Sequence, residues 1–250
     1  MADPDALHSC ETGDLPALQR YTESVQSMDP EIVQELTTQA IKKKQIEIVQ
    51  FLLDSYPEVP LSEDSVLYAC YIGSIPLLSV LLAKDHTIPN YGFDQRGTPL
   101  AIATGFGTSF EFIQFLLENG ADPDEGDIHP CPLGGAAHRY STPEVVELLI
   151  KHGARLEGSH ALMFASSYGH LEVVKYLLEI GANPQTDPNP TNPELALVAA
   201  LRNGHEEIVK LLLEHGADLN ARNYKGETAW DVAKGQQKWI DILGGNAELR

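Results

Sequence analysis

The residues best suited to covalent chemistry are a cysteine and two histidines that lie close together in the sequence, His129, Cys131 and His138. A thiol beside an imidazole is the minimum requirement for nucleophilic catalysis. His138 follows Cys131 by seven positions, which on a single helix separates them by about 10 Å at ~1.5 Å per residue. A hydrogen bond between the two side chains is therefore not expected, and no catalytic residue is predicted.

Other signatures of catalysis or metal binding are missing from the sequence. His8, His152 and His215 are expected to be capping residues or polar surface residues. His170 and His205 each follow a glycine, where an imidazole is expected to hydrogen-bond across the turn. No histidine spacing suggests metal ligands, and there is no phosphate loop, dinucleotide fingerprint or Gly-x-Ser-x-Gly elbow. Neither a metal nor a cofactor is predicted.

The chain is strongly acidic. Its 36 Asp and Glu residues against 17 Lys and Arg give a formal net charge of −19 over 250 residues. Binding to a phosphate backbone requires a basic surface, so nucleic acid is not an expected partner. The charge keeps a protein soluble, and it can also steer a basic partner towards it. The sequence leaves both interpretations open.

Composition and cysteine usage indicate the compartment. No apolar run approaches the ~18 residues of a membrane helix, and the N-terminus, MADPDALHSC, has acids where a signal peptide is basic. Cys10, Cys70 and Cys131 show no CxxC pairing, which favours a reducing environment. We therefore expect the protein in the cytoplasm, the nucleus or both, and not in a membrane. We expect it to be a monomer.

A repeated segment organises the whole chain. GHLEVVKYLLEIGANP at 169–184 is echoed by GHEEIVKLLLEHGADL at 204–219. Equivalent turn positions recur in steps of 29 to 35 residues, with a mean of 32, at Gly13, Lys44, Gly73, Gly107, Tyr140, Gly169, Gly204 and Gln237. A fixed period in this range is typical of stacked helix-pair repeats.

Residues 97–123 show what one repeat contains. Thr98 and Pro99 have the types that cap and open a helix, which is expected to run from Leu100 to about Phe106 and to end at Gly107. A second helix is predicted after Thr108 or Ser109, either of which can cap it. Its apolar face combines Phe112, Phe115, Leu116 and Leu117 at helical spacing.

These motifs resemble the ankyrin repeat family. The TPL at 98–100, the alanine three positions later, the glycine-bounded turn and the closing GAD or GAN all match its pattern, most specifically at 97–124, 160–185, 194–220 and 226–240. The tetratricopeptide repeat, the main rival of similar period, lacks the Gly-Ala closure and the extended finger between units. The resemblance implies an all-α solenoid of seven to eight helix-turn-helix units with short hairpin fingers.

We expect a single ankyrin-repeat domain over 1–250. Its predicted parts are an N-terminal capping unit at about 5–30, repeats at about 31–63, 64–93, 94–127, 128–157, 158–190 and 191–222, and a C-terminal capping unit at 223–250. The connections vary in length: 11 steps join Leu149 to His160 and Leu53 to Asp64, but 17 join Leu178 to Leu195. The insert TDPNPTNP at 186–193 is expected to be extended and stiff.

The resemblance also implies where a partner would bind. In ankyrin-type domains the fingers and the exposed face of each first helix form a concave surface, and carrying this pattern onto the chain highlights aromatic and arginine residues, which often supply binding hot spots. The predicted partner-binding residues are Tyr68, Tyr71, Ile72, Phe106, His138, Arg139, Phe164, Tyr168, Arg202 and Asn203. The alternative is that these aromatic rings simply pack between neighbouring first helices. Lys42, Lys43 and Lys44 are a solvated lysine run or a docking point for an acidic peptide.

Two functions follow from this sequence. The first is a non-enzymatic adaptor, scaffold or inhibitor that binds a peptide or protein in the groove, where the acidic charge of the chain would favour a basic partner. The alternative is a small-molecule-binding or enzymatic protein with a pocket in the same face, where His138 could do acid–base work and Arg139 or Arg202 could orient an anion.

Asn220 lies in a segment similar to the loop that is hydroxylated in some ankyrin proteins. The same asparagine is also a consensus residue of the repeat, which gives it a structural role without any modification.

Overall fold

The computed structural model describes residues 2–125, 131–185 and 194–245, which form two compact units, Met1–Glu125 and Gly126–Arg250. Within these described ranges the chain contains sixteen α-helices and no β-strand. The helices follow one another in eight pairs, in agreement with the seven to eight units predicted. The expected single domain and its repeat boundaries stay predictions, and His129 and the insert at 186–193 lie outside the described residues.

The first unit contains four helix pairs. The first helices of the pairs are α1 (Pro4–Thr12), α3 (Pro30–Lys42), α5 (Glu63–Ile72) and α7 (Pro99–Phe106), and the second helices are α2 (Leu15–Ser24), α4 (Ile46–Ser55), α6 (Ile75–Lys84) and α8 (Phe110–Glu118). A short 3-10 helix spans Ile88–Asn90. The first helices pack in sequence, α1 on α3, α3 on α5 and α5 on α7.

The second unit repeats this arrangement. Its first helices are α9 (Pro132–Arg139), α11 (Ala161–Tyr168), α13 (Ala196–Asn203) and α15 (Ala229–Ala233), and its second helices are α10 (Glu144–Lys151), α12 (Leu171–Glu179), α14 (Glu206–Glu214) and α16 (Gln237–Gly245). Here α9 packs on α11, α11 on α13 and α13 on α15. Most second helices bury a stripe of large aliphatic residues, such as Ile208, Val209, Leu212 and Leu213 on α14.

Small side chains allow the first helices to pack closely. Ala40, Ala69 and Ala103 in the first unit, and Ala165 and Ala200 in the second, have no exposed surface. An alanine occupies little space between two helix backbones and favours the helical conformation. The buried side of each first helix is thereby fixed against its neighbours, and the other side is left for longer side chains.

The capping chemistry predicted for 97–123 is confirmed. Thr98 Oγ1 accepts a hydrogen bond from the Ala101 N–H at 3.3 Å, Pro99 opens α7, and Gly107 ends it at φ 72°. Ser109 is the residue that caps α8, accepting from the Phe112 N–H at 3.2 Å. Thr108 instead donates to the Ala103 carbonyl at 3.2 Å.

The segments between pairs form short fingers held by amide side chains. In the first unit Phe93 and Gly97 form an isolated antiparallel bridge. Asn90 accepts from the Asp122 N–H and donates to the Gly120 carbonyl, each at 2.8 Å, and so holds the end of the next repeat. Gln185 does the same in the second unit with Asp218 and Gly216. One amide side chain thus satisfies two backbone groups of the neighbouring repeat.

His170 and His205 correct one expectation from the sequence. His170 Nδ1 lies 3.0 Å from the Ala137 carbonyl, and His205 Nε2 lies 3.1 Å from the Ser167 carbonyl. Both carbonyls belong to the first helix of the preceding repeat. The prediction that these imidazoles hydrogen-bond across their own turn is therefore wrong, because the stacking of repeats brings the previous helix end closer.

The His205 contact gives a stability prediction. A Cβ at Gly169 would lie 2.6 Å from Cε1 of His205, whereas at Gly204, which has a similar φ of 80°, it would meet no atom within 4 Å. Gly204→Ala should cost about 1–2 kcal/mol for the left-handed backbone. Gly169→Ala should cost about 1 kcal/mol more, because it also displaces His205 from its hydrogen bond.

Chemical denaturation followed by circular dichroism measures both costs. The His205→Ala background is the control, since removing the imidazole should make the two glycine substitutions equally costly. Equal costs in the presence of His205 would contradict this account.

Candidate functional site

The first unit presents a row of contacting aromatic rings. Tyr68 and Tyr71 lie on one side of α5, three residues apart, with ring centroids 6.5 Å apart. The ring of Tyr71 meets Phe106, the last residue of α7, edge to face at 4.6 Å. Both tyrosines are half-buried, while Phe106 is 59% exposed. The row therefore includes a large apolar side chain that no other part of the described chain covers.

Two cations extend this row. The ammonium of Lys42, at the end of α3, lies 4.3 Å from the centroid of the Tyr68 ring. Arg96, in the finger before α7, donates from Nη1 to Tyr71 Oη at 3.1 Å. We call Lys42, Tyr68, Tyr71, Arg96 and Phe106 the Tyr71 face. Ile72, the remaining predicted residue on α5, is half-buried.

Arg96 was missed by the sequence prediction. The prediction followed the exposed positions of the first helices, and Arg96 lies two residues before the capping Thr98. Its position in a finger could have indicated a binding residue, since the fingers of ankyrin-type domains also contribute to the binding surface.

The second unit presents a separate cluster, the Tyr168 face, formed by His138, Phe164 and Tyr168. The imidazole of His138 lies 4.2 Å from the ring of Tyr168 and 5.9 Å from that of Phe164, measured between centroids. Tyr168, the last residue of α11, is 54% exposed, and Arg139 beside the cluster is also exposed. As in the first unit, an exposed ring ends a first helix and rests on a ring from the adjacent first helix.

The surroundings of His138 favour its neutral form. Burial lowers the pKa of its imidazole below the usual 6.5, and the positive charge of Arg139 and the neighbouring His170 lower it further. At neutral pH the Tyr168 face therefore presents an uncharged imidazole against its rings, with Arg139 as the adjacent cation.

Arg202 and Asn203 are engaged within the chain. Arg202 forms ion pairs with Glu194 and Glu227, and Asn223, which is buried, donates to the same two carboxylates at 3.2 Å each. Asn203 Nδ2 donates to the Ala199 carbonyl at 2.9 Å and to Ser167 Oγ at 3.3 Å. Of the predicted set, the structure thus brings together three residues in each unit, and it places Arg202 in an internal network.

This network makes Arg202 a residue that stabilises the fold. Arg202→Met should lower the free energy of unfolding by about 1–2 kcal/mol, because it leaves two carboxylates without their cation. Arg139→Met, which removes an exposed arginine outside this network, should change stability little. Thermal or chemical denaturation compares the two variants. Equal stability of both would show that the ion pairs of Arg202 contribute nothing measurable.

Neither the two buried thiols nor the cavity of the second unit supports the enzymatic alternative. Burial raises the pKa of both Cys10 and Cys70 to about 12, so these thiols stay protonated. Cys131 Sγ lies 3.7 Å from the Ser159 carbonyl. In the second unit a cavity of about 320 Å³ is lined by 156–163, 181–184 and 194–196, and its walls include neither His138 nor Tyr168.

The described residues contain neither a cluster of metal-ligand side chains nor a helix that could span a membrane. No group of three or more His, Cys, Asp or Glu side chains among them is placed to hold a metal ion. None of their helices combines the length and the apolar character needed to cross a membrane.

Comparison with known proteins agrees with this geometry. A model of three ankyrin repeats matches residues 37–127 and 125–192, and a single-repeat ankyrin model matches 195–224. The chain belongs to the ankyrin repeat family. The predicted family and the all-α repeat fold are therefore confirmed. Ankyrin repeats generally mediate protein–protein interaction, and their fold is typically a non-enzymatic interaction module.

The individual proteins that resemble this chain share only a minority of its residues. The chain is 32% identical over 153 residues to the ankyrin repeat and KH domain-containing protein mask-1 of Caenorhabditis elegans, a match covering 58% of this chain and 6% of that protein. It is similar in fold to the crystal structure of the human ASB11 ankyrin repeat domain, with a TM-score of 0.56, 22% identity and coverage of 98% of this chain and 97% of the other. The family thus fixes the fold, and the surface residues must indicate what this chain recognises.

Proposed function

We propose that this protein is a non-enzymatic interaction module that binds a peptide or protein surface through the exposed side chains of its first helices. The observation that supports this most directly is the exposure of Phe106 and Tyr168, at 59% and 54% of their surfaces. Each is the last residue of a first helix and packs edge-on or tilted against another ring. A partner that covers these two rings would gain binding free energy by removing their apolar surface from water.

The arrangement suits recognition because the rings are already ordered. Phe106 rests on Tyr71, and Tyr168 rests on His138, so little side-chain freedom remains to be lost on binding. Aromatic side chains bury a large area, and tyrosine adds a hydroxyl that can hydrogen-bond. The helices beneath them are held by buried alanines, which supports a preformed surface.

We also propose that the protein acts as an adaptor, scaffold or inhibitor and that its partner is basic overall. A net charge of −19 favours long-range attraction of a partner that is basic overall. Cys10 and Cys70 are buried and form no disulfide, which fits the proposed cytoplasmic or nuclear location. The small-molecule or enzymatic alternative is supported less well, since His138 and Tyr168 do not line the cavity of the second unit.

Quantitative affinity capture with the full chain tests the proposal. Phe106→Ala or Tyr168→Ala, according to which of the two faces the partner contacts, should reduce its capture about tenfold, as expected for loss of a hot-spot residue. The matched controls are Phe110→Ala and Ile180→Ala, which remove apolar side chains that are 37% and 38% exposed at the ends of second helices.

Thermal denaturation must show that all four variants stay folded. Capture that survives both first-helix substitutions, or that is lost equally in the controls, would contradict the proposed function.

A further inference from the structure

The cations of the first unit are few and are not neutralised by its many acids. Residues 1–125 contain 20 Asp and Glu but 6 Lys and Arg, a formal net charge of −14. Among residues 2–125 no ion pair joins any of these cations to a carboxylate, whereas the described ion pairs of the chain all lie in the second unit. Although the unit contains 20 carboxylates, Lys42 and Arg96 pair with no described one and are available to other ligands.

Two of these cations lie on the Tyr71 face. Lys42 is placed over the Tyr68 ring and Arg96 on the Tyr71 hydroxyl, and both side chains are exposed. Lys43, adjacent to Lys42, is exposed as well, and Asp94, in the same finger as Arg96, forms no ion pair with it. The contact of Arg96 with a neutral hydroxyl uses one of its five N–H donors, and no carboxylate of the described residues pairs with its charge.

Arg202 shows what a compensated arginine looks like in this protein. Arg202 lies on a first helix, α13, and was predicted to bind the partner. Its charge is nevertheless neutralised by ion pairs with Glu194 and Glu227. An incoming anion would have to displace two carboxylates there. At Arg96 it would meet a guanidinium that is oriented by Tyr71 and forms no ion pair with a described carboxylate.

We infer that the Tyr71 face binds an acidic segment of a partner protein, with an apolar or aromatic side chain against Phe106 and an Asp or Glu carboxylate on Arg96, and a second carboxylate near Lys42. This inference rests on the proposed function and specifies the chemistry of the partner at this surface. A carboxylate matches the fork of a guanidinium and forms charge-assisted hydrogen bonds with it. An aromatic side chain of the segment would extend the ring contacts of Tyr71 and Phe106.

The negative charge of the unit does not prevent this contact. At physiological ionic strength charges beyond about 8 Å are largely screened, so the distant carboxylates act weakly on a bound segment. Direct pairing at Arg96 and Lys42 acts at hydrogen-bonding distance. The overall charge thus influences how fast a partner approaches, and the local cations determine which segment stays bound.

Selection from a display library of random peptides tests the inference with the full-length chain. Peptides that bind the wild-type protein but not Phe106→Ala should be enriched in Asp or Glu together with an aromatic or large aliphatic residue. Synthetic versions should lose about tenfold in affinity or more for Arg96→Glu and for Lys42→Glu. Arg20→Glu, which changes the net charge equally at an exposed site on α2, is the control and should bind normally.

Replacing the acidic peptide residue by lysine should restore binding to Arg96→Glu. Phe106-dependent peptides that carry no acid and bind Arg96→Glu normally would overturn the inference while leaving the proposed function intact. If every peptide that binds the wild-type protein also bound Phe106→Ala and Tyr168→Ala normally, the proposed function itself would be contradicted.

Discussion

Close packing of successive first helices is the constraint on which the rest of each unit depends. Alanines without exposed surface lie where these helices meet, such as Ala69 and Ala103 in the first unit and Ala165 and Ala200 in the second. A larger side chain at these positions would separate the helices and weaken the contacts between repeats. Because this side of each helix is committed to packing, the opposite side is where longer residues can differ without disturbing the fold.

Those longer residues are arranged alike in the two units but differ in charge. In the first unit the row of rings ends in Lys42 and Arg96, neither of them ion-paired with a described carboxylate. In the second, a neutral imidazole, His138, packs on Tyr168, and Arg202 is bound by Glu194 and Glu227. The same repeat scaffold can thus present surfaces of different chemistry, because the close approach of the first helices depends on buried alanines and not on the charged residues at their exposed ends.

The sequence was sufficient for the fold and for part of the site. The recurring glycine turns, the Thr98-Pro99 cap and the apolar stripes are local signals, and they predicted the helix pairs correctly. What depends on contacts between repeats could not be read from spacing alone. His205 bonds to a carbonyl 38 residues away, and Arg202 to a carboxylate 25 residues away. Arg96 reaches Tyr71 from a finger, and no periodic pattern marks that position.

A crystal structure of the full chain bound to a captured partner would test the central claim most directly. Partner atoms should lie within about 4 Å of the Phe106 or Tyr168 ring, the distance of apolar contact. On the Tyr71 face a partner carboxylate should lie on the guanidinium of Arg96. A partner seated on the second helices, with Phe106 and Tyr168 still exposed to solvent, would contradict this claim.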